Sequence, residues 1–265
     1  MIVEQMLKNA QTPLLHIADV SGSALFQGDC LDIMPLIPDK SVQLILADLP
    51  YGTTACKWDS IIDLDLLWKQ YKRIIKGNGA IVLTASQPFT TKLISSNYEM
   101  FKYEWIWEKD NSTGFQLANV MPLKSHENIC VFSKGFTYPR TNNKMLYNAQ
   151  GLIENDKKRS KRGNKGGYLT ESGCKIDEYI PKFKNYPKTI LKVNTDRKKG
   201  NHPTQKPLEL MKYLISTYSN ENDLVLDNTM GSGTTCLAAK ELNRKFIGIE
   251  KEPKYYEIAC QRCGF

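Results

Sequence analysis

An α/β architecture, a mostly parallel sheet carrying helices on both faces, is what this 265-residue sequence predicts. Three observations lead there. Short apolar runs alternate with stretches of helical periodicity, the rhythm of strand–helix–strand units. Two of the runs end in polar turn motifs, Asp48-Leu49-Pro50-Tyr51 and Asp227-Asn228-Thr229-Met230-Gly231-Ser232-Gly233-Thr234-Thr235, and open α/β sheets bind ligands at the carboxyl ends of their strands. The rhythm is lost over residues 137–199 and resumes afterwards, so an insertion separates two halves of one core.

Residues 1–23 are weakly patterned and are left as an N-terminal extension. Ala24 to Gln27 reads as a short strand ending at Gly28-Asp29, and Cys30 to Leu36 as a short helix. Ser41 to Ala47 is a buried strand ending in the Asp48 motif. Asp65 to Ile75 places Leu67, Trp68, Tyr71, Ile74 and Ile75 at helical spacing, and Gly77-Asn78-Gly79 stops that helix. Ala80 to Thr84 is the next buried strand and Phe89 to Asn97 a helix. Phe101, Tyr103, Trp105 and Trp107 alternate along one strand face, and Asn128 to Phe132 forms another strand. Beyond the insertion come a helix over Pro207–Tyr218, strand Leu224–Leu226, the glycine turn, helix Thr235–Leu242, strand Lys245–Ile249 and helix Tyr255–Arg262.

The net charge of +8 is concentrated. Residues 137–200 hold 16 basic and 6 acidic side chains, a local balance of +10, whereas the remainder balances at −2. The cluster Lys157, Lys158, Arg159, Lys161 and Arg162 lies within it. Such a segment suits phosphate contacts with a nucleic acid, or is a solvated basic loop. No apolar run reaches the roughly 18 residues that mark a membrane span. The N-terminus lacks the pattern of a signal peptide, and seven scattered cysteines fit reduced thiols, so a cytoplasmic location is expected. Cys260 and Cys263 have the spacing of half a zinc site with no second pair nearby, and read as helix-face thiols; no metal is expected.

The two turn motifs supply complementary chemistry. Gly231 and Gly233 permit a tight strand-to-helix turn with close backbone approach to a nucleoside cofactor. Asp227 at the strand end can accept from an ammonium, and Glu250, about 20 residues past the turn, stands where an acid binds both ribose hydroxyls. Cys236 occupies the place of a third fingerprint glycine and no lysine follows the turn, which argues against a dinucleotide fingerprint and a phosphate-binding loop. In the other motif, the Asp48 carboxylate and the Leu49 carbonyl, with Pro50 stiffening the turn, offer two acceptors to an exocyclic amino group. They would draw its nitrogen toward tetrahedral geometry and expose the lone pair. Tyr51 offers a ring on which an extruded base can stack.

With these motifs in this order, the chain resembles the amino-group DNA methyltransferases of the β arrangement, in which the catalytic motif precedes the cofactor motif. That family usually carries Asp-Pro-Pro-Tyr for adenine and often Ser-Pro-Pro-Tyr for N4-cytosine; Leu49 replaces the first proline at a position that acts through its carbonyl. Its cofactor motif, Asp-Pro-Phe-x-Gly-Ser-Gly-Thr-Thr, is matched at Asp227, Gly231, Ser232, Gly233, Thr234 and Thr235, with Asn228-Thr229 in place of Pro-Phe. His202-Pro203-Thr204-Gln205-Lys206-Pro207 is similar to the motif that meets the cofactor's methionyl end, and Gly28-Asp29 to the strand-end acid near its adenine. Ser125-His126-Glu127-Asn128 resembles the family's late strand.

The resemblance implies a Rossmann-like methyltransferase sheet with circularly permuted motif order. Residues 24–136 would be its catalytic half, 200–265 its cofactor half and 137–199 a basic target-recognition insertion. It implies S-adenosylmethionine held by Asp29, His202, Thr204, Gln205, Lys206, Asp227, Gly231, Ser232, Gly233, Thr234 and Glu250. It implies DNA as substrate, adenine N6 as acceptor and Asp48, Leu49, Pro50 and Tyr51 as catalytic residues. A cognate restriction endonuclease is an implied candidate partner, and monomer and homodimer both remain open. N4-cytosine methylation and a non-catalytic nucleic-acid-binding subunit stay as alternatives. An RNA or protein methyltransferase is a further one, and the basic insertion argues against a protein substrate. Trp58, in the segment after Tyr51, is a candidate lid residue; His126 reads as a structural histidine more readily than as a substrate contact.

Overall fold

The computed structural model of the chain describes residues 2–11, 14–18, 22–52, 60–138, 142–155, 182–195 and 205–265. Trp58, the cluster Lys157, Lys158, Arg159, Lys161 and Arg162, and His202 and Thr204 lie outside the described residues. The chain divides into two units, residues 1–148 with 189–265, and residues 149–188.

The larger unit runs α1 (Ile2–Asn9), β1 (Leu15–Ala18), β2 (Ala24–Gln27), α2 (Cys30–Ile33), β3 (Val42–Asp48), α3 (Leu64–Ile74), β4 (Ile75–Ala85), α4 (Phe89–Ser96), β5 (Phe101–Thr113) and β6 (Lys124–Phe132). The smaller unit contributes β7 (Ile153–Glu154) and β8 (Phe183–Lys184), an antiparallel pair. The larger unit resumes with β9 (Ile190–Lys192), α5 (Leu208–Tyr218), β10 (Leu224–Asp227), α6 (Thr234–Glu241), β11 (Lys245–Glu250) and α7 (Pro253–Cys263).

Nine strands form one sheet in the order β1-β2-β11-β10-β3-β4-β6-β5-β9. The strands from β2 to β4 in that order are mutually parallel, and β1 and β6 run against their neighbours. The central strands are buried on both faces, which is why they read as continuous apolar runs rather than alternating ones. Within β3, Ile45 and Ala47 face a core shared with Leu67, Tyr71 and Ile74 of α3, while Leu44 and Leu46 face a second core shared with Leu210 and Leu214 of α5. Helices therefore cover both sides, and the expected Rossmann-like α/β class is the one observed.

Connectivity fixes the site. From β10 the chain passes through α6 to β11 on one side; from β3 it passes through α3 to β4 on the other. Strand order therefore reverses between β10 and β3, which are adjacent and parallel, with Val225 opposite Leu44 and Leu226 opposite Ile45. Such a switch point opens a crevice at the carboxyl ends of the two strands. Both turn motifs open onto that crevice. Asp48 and Thr229 are 181 positions apart in the chain, and the sheet brings them into direct contact.

Several boundaries differ from expectation. Within the N-terminal extension, α1 buries Val3 and Met6, and β1 pairs with β2. Gly77-Asn78-Gly79 does not end α3. The helix ends at Ile74, β4 begins at Ile75, and the glycines lie at an irregularity in its pairing with β3. A Cβ on Gly79 would lie 2.7 Å from the Gln43 carbonyl oxygen, so close strand approach requires glycine there. The separate unit, 149–188, is narrower than the expected insertion of 137–199, because β9 joins the main sheet beside β5.

Candidate active site

Asp48 ends β3, and three donors hold its carboxylate. Tyr51 Oη donates to Oδ1 at 2.7 Å, Thr84 Oγ1 donates to the same oxygen, and Lys206 Nζ donates to Oδ2 at 2.5 Å. Burial pushes the Asp48 carboxyl up, but the Lys206 ammonium and the hydrogen bonds from Thr84 and Tyr51 outweigh it and hold the group below the usual carboxylate range. Phe89, at the start of α4, stacks on the Tyr51 ring with centroids 5.3 Å apart. One aromatic face is thereby occupied from within the protein.

Lys206 is buried and continues the charge pattern. Its Nζ lies 3.4 Å from Glu127 Oε2, and Glu127 in turn pairs with Lys109. Burial opposes the Lys206 charge, and Asp48 and Glu127 together overcome it, leaving its pKa raised. The family motif groups Lys206 with the methionyl end of a cofactor; the structure turns its ammonium to Asp48. Thr84 joins the site without any motif to announce it, and Glu127, within the stretch that resembles the family's late strand, joins it in a role that stretch did not indicate. Thr84 stands opposite Asp48 in the β3–β4 register, and nothing in its local sequence reveals that pairing.

The glycine turn lies across the crevice. Gly231 and Gly233 have φ of +51° and +76°, values that L side chains rarely adopt. A Cβ on Gly231 would meet no atom within 4 Å, whereas one on Gly233 would lie 2.8 Å from Ala259 Cβ. Gly231 therefore keeps the cavity open and Gly233 lets α6 approach α7. The missing third glycine is compensated from the strand side: a Cβ on Gly248 of β11 would lie 2.7 Å from Cys236 Sγ. Glu250 holds the turn through both oxygens, accepting from the Gly231 amide and from the Glu252 amide, each at 2.8 Å. Arg262 of α7, outside every motif, donates to the Ser232 carbonyl at 2.6 Å and to Thr234 Oγ1 at 3.0 Å.

The substitutions at Asn228 and Thr229 have local uses. Tyr71 donates to Asn228 Oδ1 in the core, and Thr229 Oγ1 donates to the Asp48 carbonyl at 3.1 Å, joining the two motifs directly. Asp29 caps α2 through the Leu31 amide at 2.9 Å and pairs with Lys251 at 3.1 Å. Gln205 accepts from Ser232 Oγ at 3.2 Å.

A cavity of about 310 Å³ is lined by both motifs, including Asp48, Leu49, Pro50 and Tyr51 on one side and Asp227, Gly231, Ser232, Thr234 and Glu250 on the other. Asp29, Gln205, Lys206 and Glu127 also line it; Gly233 does not. The cavity gathers the carboxylates of Asp48, Asp227 and Glu250. Burial pushes Asp227 up to about 7, against hydrogen bonds from Thr235 and the Thr229 amide, and the Asp48 and Glu250 charges add to the rise. Burial likewise raises Glu250.

The model for the N6/N4 methyltransferases, described as DNA methylase, matches residues 42–261. The chain belongs to this family. It is 32% identical over 222 residues to the type II methyltransferase M.HindIII of Haemophilus influenzae, covering 74% of this chain and 66% of that protein. It is 28% identical over 251 residues to the type II methyltransferase M1.MboII of Moraxella bovis, covering 89% and 94%. Among solved structures, an M1.HpyAVI–SAM complex aligns with a TM-score of 0.59 at 25% identity, covering 91% of this chain and 98% of that one.

S-adenosylmethionine is the family's cofactor. The donor set fits it. The sulfonium and ammonium of that molecule are cationic, and the cavity holds a buried carboxylate, Asp227, without an ion pair among the described residues. Glu250 lines the cavity at the end of its strand with its carboxylate fixed by the Gly231 and Glu252 amides, placed to accept from a ribose hydroxyl. No helix among the described residues is long and apolar enough to cross a membrane.

Proposed function

We propose that the protein modifies the N6 amino group of an adenine extruded from DNA. The observation that carries this reading is the fixed, ionised Asp48 carboxylate at the same crevice as the glycine turn, with one lone pair of Oδ2 still open beside Lys206. Bound cofactor supplies an electrophilic methyl group on a sulfonium that departs as a neutral thioether. Asp48 and the Leu49 carbonyl would accept from the amino hydrogens and free the nitrogen lone pair for in-line attack, and the Asp48 carboxylate would take the proton that the methylated nitrogen sheds and pass it to solvent. The Tyr51 ring, with Phe89 stacked on it and Lys206 Nζ 6.0 Å from its centroid, lines the cavity where an extruded base would lie against an aromatic edge. Glu250 holds the ribose, Asp227 the ammonium, and Asp29, Gln205, Ser232 and Thr234 complete the cofactor cradle. The basic cluster within 137–199 supplies phosphate contacts. Aspartate rather than serine at position 48 supports adenine over cytosine, through the family resemblance.

Labelled-methyl transfer to duplex DNA, followed by nucleoside mass spectrometry, tests the reading. N6-methyladenine is expected; N4-methylcytosine would overturn the choice of base, and no methylated nucleoside would favour a non-catalytic subunit. Tyr51→Phe should slow turnover about 2- to 10-fold, less than the full worth of a hydrogen bond to a charged group, because Thr84 and Lys206 still hold the Asp48 carboxylate. Tyr51→Ala should be slower still because the aromatic ring is lost too. Equal rates for Phe and wild type would show that the hydroxyl contributes nothing.

Asp227 yields a pH prediction. With its carboxyl raised to about 7, the folded protein binds a proton that the unfolded chain has released. Stability of the cofactor-free protein therefore falls as pH rises from the usual carboxylate range to about 7. Asp227→Asn removes that penalty, so its melting temperature at pH 8 should rise, by roughly 2–4 °C for each kcal/mol gained. Cofactor affinity should fall in the same variant. A lower melting temperature in the cofactor-free state would contradict the assignment.

A further inference from the structure

We propose that Lys206 and Asp48 act as a paired donor and acceptor that reads the amidine edge of the target base. Asp48 accepts from the exocyclic amino group while Lys206 donates to the adjacent ring nitrogen. The inference deepens the reading above and rests on methylation of a base amino group.

The geometry is specific. Lys206 Nζ and Asp48 Oδ2 are 2.5 Å apart, and both residues line the cavity. Adenine presents N6–H beside the N1 lone pair, and cytosine presents N4–H beside N3, so each offers a donor and an acceptor side by side on its Watson–Crick edge. A carboxylate and an ammonium in contact form the complementary pair. Capacity also remains on both partners. Asp48 uses two acceptor positions on Oδ1 and one on Oδ2. Lys206 directs one N–H to Asp48 and one toward Glu127, leaving a third.

The pair meets two physical requirements. An ammonium alone at the ring nitrogen would withdraw electron density from the amino group and weaken the nucleophile. The Asp48 charge beside it offsets that withdrawal. Two contacts on one edge also fix the rotation of the base in its plane, which a single acceptor on the amino group cannot do. Guanine places an N–H where Lys206 donates, and thymine places a carbonyl oxygen where Asp48 accepts, so both are opposed by like groups. Glu127, which also lines the cavity and pairs with Lys109, gives the Lys206 ammonium a second anionic anchor there.

The test uses the full-length protein and duplexes carrying adenine or 1-deazaadenine at the target position. Product identification on unmodified DNA comes first and decides adenine against cytosine independently; if cytosine is the target, 3-deazacytosine replaces 1-deazaadenine and the proposal is tested unchanged. Wild type should favour the natural base over the deaza base by about 10- to 100-fold more than Lys206→Met does, the span for losing a hydrogen bond to a charged group. The comparison between variants removes the intrinsic reactivity of the deaza base. Lys206→Arg, which retains a donor, should keep part of the discrimination. If Lys206→Met turns over too slowly, equilibrium binding of the same duplexes with sinefungin as a non-reactive cofactor analogue gives the same double comparison. Equal discrimination in wild type and Lys206→Met would overturn the proposal and leave Lys206 as a group that only holds Asp48.

Discussion

Asp48→Ala is expected to lower turnover by about 10²–10³-fold, the effect of removing one preorganised polar group from a reacting centre. Cofactor affinity should be largely preserved, because the glycine turn is held by Glu250 and Arg262 rather than by the Asp48 side chain. The same change leaves Lys206 buried with Glu127 as its remaining anionic partner, at a distance of 3.4 Å. Breaking a buried pair by removing one member costs about 3–5 kcal/mol, so a lower melting temperature should accompany the loss of activity. The double variant Asp48→Ala, Lys206→Met separates the two effects. It should recover stability without recovering turnover. Single-turnover methyl transfer, calorimetric cofactor titration and thermal melts decide the matter. Substantial turnover by Asp48→Ala would remove this residue from the chemistry.

Glu250→Ala carries the second large effect. A charged contact to the cofactor ribose is lost, about 1.5–3 kcal/mol. The structure adds a further cost, because the carboxylate also fixes the Gly231 and Glu252 amides. Cofactor affinity should therefore fall by roughly tenfold or more, while a DNA duplex binds as before. Glu250→Gln keeps one acceptor oxygen and should fall between Ala and wild type. Calorimetry reads both. Unchanged cofactor affinity in Glu250→Ala would remove the ribose assignment.

Much of the framework was legible in local sequence. The apolar runs at Val42–Ala47 and Leu224–Leu226 mark buried strands because burial on both faces leaves no polar alternation to preserve. Gly231 and Gly233 announce a left-handed turn because other residues meet a steric penalty there. Asp48, Tyr51, Asp227 and Glu250 could be named because each ends a strand or follows one closely, and the resemblance to the family supplied their order. The long β5 and the strand over the glycines at 77–79 extend beyond what local sequence indicates, since turn residues give way there to pairing with neighbouring strands.

Composition, periodicity and motif order thus determined the α/β class, the two turns and the residue types at their ends, because those depend on interactions within a few positions along the chain. Tertiary structure alone decided that β10 and β3 lie side by side, that Thr229 bonds the Asp48 carbonyl, and that Thr84 and Lys206 complete the Asp48 carboxylate. Those contacts join residues 36 to 181 positions apart, and their register is set by which strands pair in the sheet. The physical reason is that a hydrogen bond carries no signature in the sequence around either partner; it exists only once the sheet has placed the two groups within reach.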